Sequence, residues 1–256
     1  MFLALDIGNT NIKSTLFAGN QLVDFTAHSS TDEAVEFINK TSFNEAAICS
    51  VNPGVQKIIS NKISTKGVSI FEANIRHKFN LTIKYETSST LGMDRVCSAV
   101  GALELATNQK IISENQFLIT IDFGTATTIN IVSPNREFIG GLIAPGVYTM
   151  LNSLNEKTAQ LPLPNLESYQ GLIGNSTNSS LISGVLTATI GMIKETVRQL
   201  KDDSNQKPPV IFVTGGNSKF VLAQLNHKVI FEEALVLKGL KIIYDLNNRR
   251  VEMIKK

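Results

Sequence analysis

Three acidic residues stand where a chain can do chemistry: Asp6, Asp94 and Asp122. Asp6 follows the apolar run Phe2 to Leu5 and opens Asp-Ile-Gly-Asn-Thr-Asn, ahead of a second β-compatible run from Ile12 to Phe17. That pattern reads as strand, tight turn, strand. The Asp6 carboxylate then points into the turn, Gly8 lets the backbone approach a ligand, and Asn9, Thr10, Asn11 and the turn amides supply donors. An acid beside such donors suits a metal-bound phosphate, although Asp-x-Gly-Asn is also ordinary hairpin chemistry. A second copy favours the phosphate. Residues 117–132 read FLITIDFGTATTINIV, where an apolar strand again ends in Asp-x-Gly, at Asp122 and Gly124, with Thr125 next. The copies lie almost half of the 256-residue chain apart, as in a duplicated domain. Two such turns facing across a cleft would hold a polyphosphate from both sides.

The third acid lies between the copies, in YETSSTLGMDR, residues 85–95. Asp94 and Arg95 stand at the start of a helical pattern. One reading is structural: an acid favoured by the helix dipole, with Arg95 in a surface pair. The other is a base beside an anion clamp. An arginine binds a carboxylate through two parallel bonds, and an aspartate on a substrate hydroxyl accepts its proton in phosphoryl transfer.

The elements that would position these groups follow in order. Gln21 to Ala27 supplies a third strand, Asp32 to Asn39 a helix capped by Thr31, and Ala46 to Val51 a strand ended by Asn52-Pro53-Gly54. A helix over Val55 to Ile63, a strand over Val68 to Phe71 and a helix over Val100 to Thr107, entered from Gly92 to Arg95, complete the first half. Three meandering strands followed by alternating helix and strand is a plan similar to ribonuclease H. The second half repeats it, with strands over Phe117 to Asp122, Thr127 to Ser133 and Arg136 to Ile143, then a helix around Tyr148 to Lys157. Asn178 to Leu200 is the longest helical candidate. It is apolar on more than one face, so it is buried on two sides, and Gly184 and Gly191 would let another helix approach closely. Asp202 to Pro209 reads as a polar loop. The strand Val210 to Val213 runs into Thr214-Gly215-Gly216-Asn217, a weak nucleotide-contact pattern. Phe231 to Leu246 reads as a last amphipathic helix and Arg249 to Lys256 as a solvated basic tail.

Composition narrows the function. Hydrophobic residues make 43% and charged residues 18% of the chain, which is a globular balance with material for a sizeable core. The formal net charge of +2 gives no electrostatic case for nucleic acid or a membrane surface. No apolar run approaches the roughly 20 residues that span a bilayer. The N-terminus enters a strand directly and shows no signal peptide. Cys49 and Cys97 lie in apolar surroundings and read as buried free thiols, which fits a reducing, cytoplasmic compartment.

The motifs together resemble the type III pantothenate kinases. The matching segments are DIGNTNIK at 6–13, LGMDR at 91–95, DFGTATT at 122–128, GGLIAPG at 140–146, LNEKTAQLP at 154–162 and VTGG at 213–216. The resemblance implies an α/β fold of two ribonuclease H-like domains with mixed sheets flanked by helices, the actin-like ATPase fold, with the nucleotide cleft between them. The domains would be 1–115 and 116–256, the last helix packing back on the first. It implies ATP-dependent phosphorylation of pantothenate to 4′-phosphopantothenate, the first step of coenzyme A synthesis, with Mg²⁺ or another divalent cation, K⁺ or NH₄⁺, and a homodimer.

The resemblance also assigns residues. Asp94 matches the proton acceptor. Asp6, Ile7, Gly8, Asn9, Thr10, Asn11, Ile12 and Lys13 match the first phosphate motif, with Asp6 acting on Mg²⁺, through water if not directly. Asp122 matches the monovalent-cation ligand, and Thr125, Gly215 and Gly216 match ATP contacts. Tyr85, Gly92, Met93, Asp94, Arg95 and Thr177 match pantothenate contacts. The chain lacks GxxxxGK[ST], so its phosphates are not held in the Walker manner. A sister kinase or phosphatase acting on another hydroxylated acid or sugar is the first alternative. The GMDR loop combined with IAPG argues against it. A non-enzymatic binding or regulatory relative is the second, and the presence of all three acids argues against that.

Overall fold

The computed structural model describes residues 1–169, 171–202, 207–225 and 227–248. They form two compact units. One comprises Met1–Ile111, Arg136–Ile139 and the described residues from Ala234 onward; the other comprises Ile112–Asn135 and Gly140–Glu233.

In the first unit, β1 (Phe2–Ile7), β2 (Ile12–Ala18) and β3 (Gln21–His28) form an antiparallel meander. Helix α1 (Thr31–Lys40) leads to β4 (Glu45–Ser50), parallel to β1, and α2 (Pro53–Ser64) to β5 (Ile70–Glu72), giving the order β3-β2-β1-β4-β5. Every residue of β1 is buried, as a central strand covered on both faces must be. The cap of α1 is Ser30, whose hydroxyl accepts from the Glu33 amide at 3.2 Å, one residue earlier than Thr31. Asn52 caps α2 in the same way, with Pro53 in the first turn, where a missing N–H costs nothing. Ala34, Ile38, Ile59 and Ile63 of these helices pack with Leu3, Leu5 and Ile7. A two-residue strand β6 (Thr82–Ile83) precedes α3 (Met93–Asn108). This helix starts at Met93, so Asp94 and Arg95 stand at its start as the sequence indicates, and it runs unbroken through the Val100 to Thr107 stretch. Val96, Cys97, Ala99, Val100, Ala102 and Leu103 are all buried, and a helix apolar all round has no stripe to mark its start.

The second unit carries β7 (Leu118–Phe123) antiparallel to β8 (Ala126–Val132), then β9 (Glu137–Pro145), α4 (Val147–Lys157), α5 (Thr177–Asp202), β10 (Val210–Thr214), α6 (Ser218–Leu222) and β11 (Val229–Phe231). The sheet runs β11-β10-β7-β8-β9, with β10 parallel to both β7 and β11. The first residues of β9, Glu137 and Phe138, pair with Thr82 and Ile83 of β6 and belong to the first unit. The core of the second unit joins Ile119, Ile121 and Phe123 of β7 to Ile182, Leu186 and Ile193 of α5. Open space lies over Gly184 and Gly191 on α5.

The last described helix, α7 (Leu235–Asn248), returns to the first unit and packs on α3. Sequence reading starts it at Phe231. That residue instead ends β11, because the β-branched and aromatic run Val229-Ile230-Phe231 pairs with Ile211 to Val213. The two helices meet backbone to backbone. A Cβ on Gly239 would lie 1.8 Å from the Cys97 carbonyl oxygen, and one on Gly101 would lie 2.6 Å from that of Leu235. Cys49 and Cys97 are buried free thiols. No helix among the described residues is long and apolar enough to cross a membrane. Most of the predicted loop at Asp202 to Pro209, and the basic tail from Arg249, lie outside the described residues.

Candidate active site

The first unit gathers most of the predicted groups. Asp6 is the penultimate residue of β1, opposite Lys13 on β2 and Cys49 on β4, and its side chain is buried. The turn that follows closes with the Gly8 amide donating to the Asn11 carbonyl at 3.1 Å, leaving Asn9, Thr10 and Asn11 exposed. Residues Gly8 to Ile12 line a hollow of about 220 Å³ shared with Ser30 and Asn52, the caps of α1 and α2. The turn thus lies beside two helix N-termini, whose partial positive charge favours an anion.

Asp94 lies in the first turn of α3, directly after the cap residue Gly92 and Met93. Burial pushes its carboxyl above the usual carboxylate range. The amides of Arg95 and Asp94 and the charges of Arg95 and Lys13 oppose that rise without cancelling it. The Cys49 thiol donates to Asp6 Oδ1 at 3.5 Å, and contact with Cys97, burial and the charges of Asp6 and Asp94 all hold it in the protonated form. Asp6, Asp94, Cys49 and Cys97 therefore form one cluster around the buried Cys49 thiol. Arg95 is 6% exposed, with its Cζ 5.8 Å from the Tyr85 ring centroid and 5.7 Å from that of Phe138.

In the second unit Asp122 is the penultimate residue of β7, opposite Thr128 on β8 and Thr214 on β10. Gly215 follows Thr214 at φ +98, and a Cβ there would lie 2.4 Å from Asp122 Oδ1 and 2.5 Å from the Phe123 amide nitrogen. Only glycine permits that close pass in the left-handed region. The Asn217 amide donates to the Phe123 carbonyl at 3.0 Å and its side-chain amide to that of Gly124 at 3.2 Å. The 214–217 turn is thereby fixed against Asp122. Thr125 is exposed, and its carbonyl accepts from the Gly146 amide at 2.9 Å and from the Thr149 hydroxyl at 2.6 Å. Thr177 opens α5 and lines a groove of about 980 Å³ with Pro145, Thr149, Met150 and Leu181.

One contributor, Phe138, carries no mark in the sequence, and a second, Asn217, stands there only as part of its turn. Phe138 stands two positions before the paired glycines of β9, and only its alternation with Ile139 separates it from any other strand residue. Asn217 was read as part of the turn, but its two bonds to the Asp122 loop are tertiary contacts.

Among the described residues no group of three or more His, Cys, Asp or Glu side chains converges as a metal cage. A buried carboxylate such as Asp6 still fits Mg²⁺, which keeps several waters and binds through one or two carboxylates and substrate phosphates.

The family model for type III pantothenate kinases matches residues 2–199. A type III pantothenate kinase from Finegoldia magna is 32% identical, with 96% of this chain and 98% of that protein covered. One from Sulfurihydrogenibium sp. is 31% identical, covering 94% and 98%. Among solved structures, a Baf family transcriptional activator from Campylobacter jejuni superposes with a TM-score of 0.65 at 21% identity, covering 96% of this chain and 99% of that one. An N-acetylmannosamine kinase from Listeria monocytogenes superposes with a TM-score of 0.54 at 15% identity, covering 97% and 99%. These likenesses give the fold, two mixed-sheet α/β units of the actin-like sugar-kinase type.

Proposed function

The chain belongs to the type III pantothenate kinase family, and from that membership we propose that it transfers the γ-phosphoryl group of ATP to the primary hydroxyl of pantothenate. The O–H bond of the acceptor and the terminal P–O bond of ATP break, a new P–O bond forms, and ADP, 4′-phosphopantothenate and a proton leave. This is the first step of coenzyme A synthesis. The observation that carries the reading is the pair of carboxylates, Asp6 and Asp94, assembled around one buried thiol in the first unit.

Phosphoryl transfer asks a protein for position and charge neutralisation more than for covalent chemistry. Asp94 accepts the hydroxyl proton late, as the new bond forms. Arg95 binds the acceptor's carboxylate, with Tyr85, Gly92, Met93 and Thr177 completing its contacts. The 6–13 turn, from Asp6 through Lys13, holds phosphate oxygens. Thr125, Gly215 and Gly216 hold the nucleotide. Asp6 would hold the divalent cation, and Asp122 a monovalent cation, K⁺ or NH₄⁺. Cations held there would supply neutralisation of phosphate charge. The protein works in the cytoplasm, where ATP is the available donor.

ADP release with Mg-ATP and K⁺ tests the reaction. It rises with pantothenate and stays at background without it. Release with another hydroxylated acid or a sugar instead moves the activity to a sister kinase, and silence with every acceptor favours a binding protein. In the same assay Na⁺ in place of K⁺ lowers the rate, and Asp122→Ala abolishes the difference between the two ions. An unchanged K⁺ preference in Asp122→Ala rejects Asp122 as the ligand.

The homodimer has its own support. The groove lined by Thr177 and Leu181 borders the open face over Gly184 and Gly191 on α5. Nearby in sequence, Leu172 is 64% and Ile173 85% exposed. Exposed apolar surface beside small residues suits a second copy of the helix. Sedimentation velocity finds a dimer at micromolar concentration, and a monomer at the highest soluble concentration rejects this interface.

A further inference from the structure

Arg95 is held by more than its own motif. Phe138 is fully buried, lies more than forty positions downstream, and reaches the Arg95 guanidinium through β9. The two-residue β6 makes this possible. The Thr82 amide donates to the Arg136 carbonyl and the Lys84 amide to the Phe138 carbonyl, both at 2.9 Å, which places Ile83 opposite Phe138. Tyr85 follows two residues after Ile83, and its ring meets that of Phe138 edge to face at 6.1 Å and 67°. The buried guanidinium therefore has one aromatic ring on β9 and another on the segment that β9 pins down.

We propose that Phe138 is a positioning residue for acceptor recognition: with Tyr85 it fixes the plane of the Arg95 guanidinium so that the fork is already oriented when the acceptor's carboxylate arrives. The proposal rests on the reading of Arg95 as the carboxylate clamp. Arginine is planar and weakly hydrated, and it stacks on ring faces where an ammonium would keep its water. A side chain held in its bound orientation loses less freedom on binding, and that saving appears as affinity. Phe138 acts on the acid group of the acceptor and leaves the hydroxyl and the nucleotide alone.

The test is a pair of acceptors. One is pantothenate; the other is the alcohol in which its carboxylate is reduced to a hydroxymethyl group, the phosphorylated hydroxyl being unchanged. Phe138→Leu raises KM for pantothenate about tenfold, the size of one desolvated cation–π contact. KM for the alcohol, KM for ATP and kcat stay within about twofold. In an Arg95→Lys background, which presents a point charge in place of a fork, Phe138→Leu costs less than about twofold. If the leucine variant melts near the assay temperature, Phe138→Met, whose unbranched side chain adapts to the space left by the ring, carries the same expectations. An equal rise in KM for both acceptors, or a tenfold rise that persists beside Arg95→Lys, overturns the proposal. A parent enzyme that binds acid and alcohol alike removes the carboxylate clamp itself, and Phe138's role with it. A parent that discriminates while Phe138→Leu changes nothing rejects Phe138 alone.

Discussion

Asp94→Asn lowers kcat by about a thousandfold, within the range general-base groups contribute, and leaves ADP affinity within about twofold of the parent. Steady-state ADP release and calorimetric titration with Mg-ADP check the two halves. Asparagine fits the same space at the start of α3 and keeps one acceptor oxygen, but it cannot take the hydroxyl proton. Full activity rules Asp94 out as the base.

The pH dependence follows from burial. Asp94 must be ionised to act, and burial lifts its pKa above the ordinary carboxylate value of about 4. The parent's rate therefore falls as pH drops through that raised value. Stability moves the other way. Between the unfolded and folded values the folded chain binds more protons than the unfolded chain. The stabilising contribution of Asp94 is fully present below the unfolded value and is lost as pH rises through the folded one. Asparagine does not titrate, so the Asp94→Asn protein is at least as heat-stable as the parent at neutral pH, and its advantage shrinks in acid. A neutral variant that melts well below the parent at neutral pH contradicts the assignment of burial as the dominant cause.

Gly239→Ala has the largest expected effect on stability. Its Cβ would lie 1.8 Å from the Cys97 carbonyl oxygen and 2.6 Å from the carbon. Those are backbone atoms in the interior of α3 and cannot swing aside as a side chain would, so α7 must move off α3. Overpacking of this kind costs about 3 kcal/mol or more, which lowers Tm by roughly 6–12 °C in a chain of this size. Gly54→Ala is the control. A Cβ there meets only Asn52 Oδ1, at 3.6 Å, in the exposed first turn of α2. It raises Tm slightly through helix propensity. A Gly239→Ala protein that melts with the parent contradicts the close helix crossing.

Much of the candidate site was legible because its residues sit at strand ends and helix starts. Asp6 and Asp122 each follow an apolar run and precede Gly at the second position. That spacing put both acids at strand–turn junctions, where the structure has them. The duplication was legible for the same reason. Helix α3 was only half legible: its start carries Asp94 and Arg95, yet its interior is apolar on every side and gives no periodicity to count back from. Strands β6 and β11 are two and three residues long. At that length the pairing partner makes the strand, and the partner is distant in sequence. Phe138 illustrates the limit best. No local feature distinguishes it, and its meaning comes from Ile83 across the ladder and Arg95 beneath the ring.

The helix behind Asp94's own helix is the last one described in the chain, and this sets an order of events during synthesis. The segment bearing Asp94 and Arg95 is translated long before Leu235. At about 5–20 residues per second, α3 waits on the order of ten seconds for α7. Through that interval the Gly101 surface of α3 has no partner, and the residues of the second unit, ending at Glu233, are made within it. The unit that carries Asp122 is thus complete in sequence before α7 is made. A nascent chain halted before Leu235 lacks the helix that covers the Gly101 face of α3.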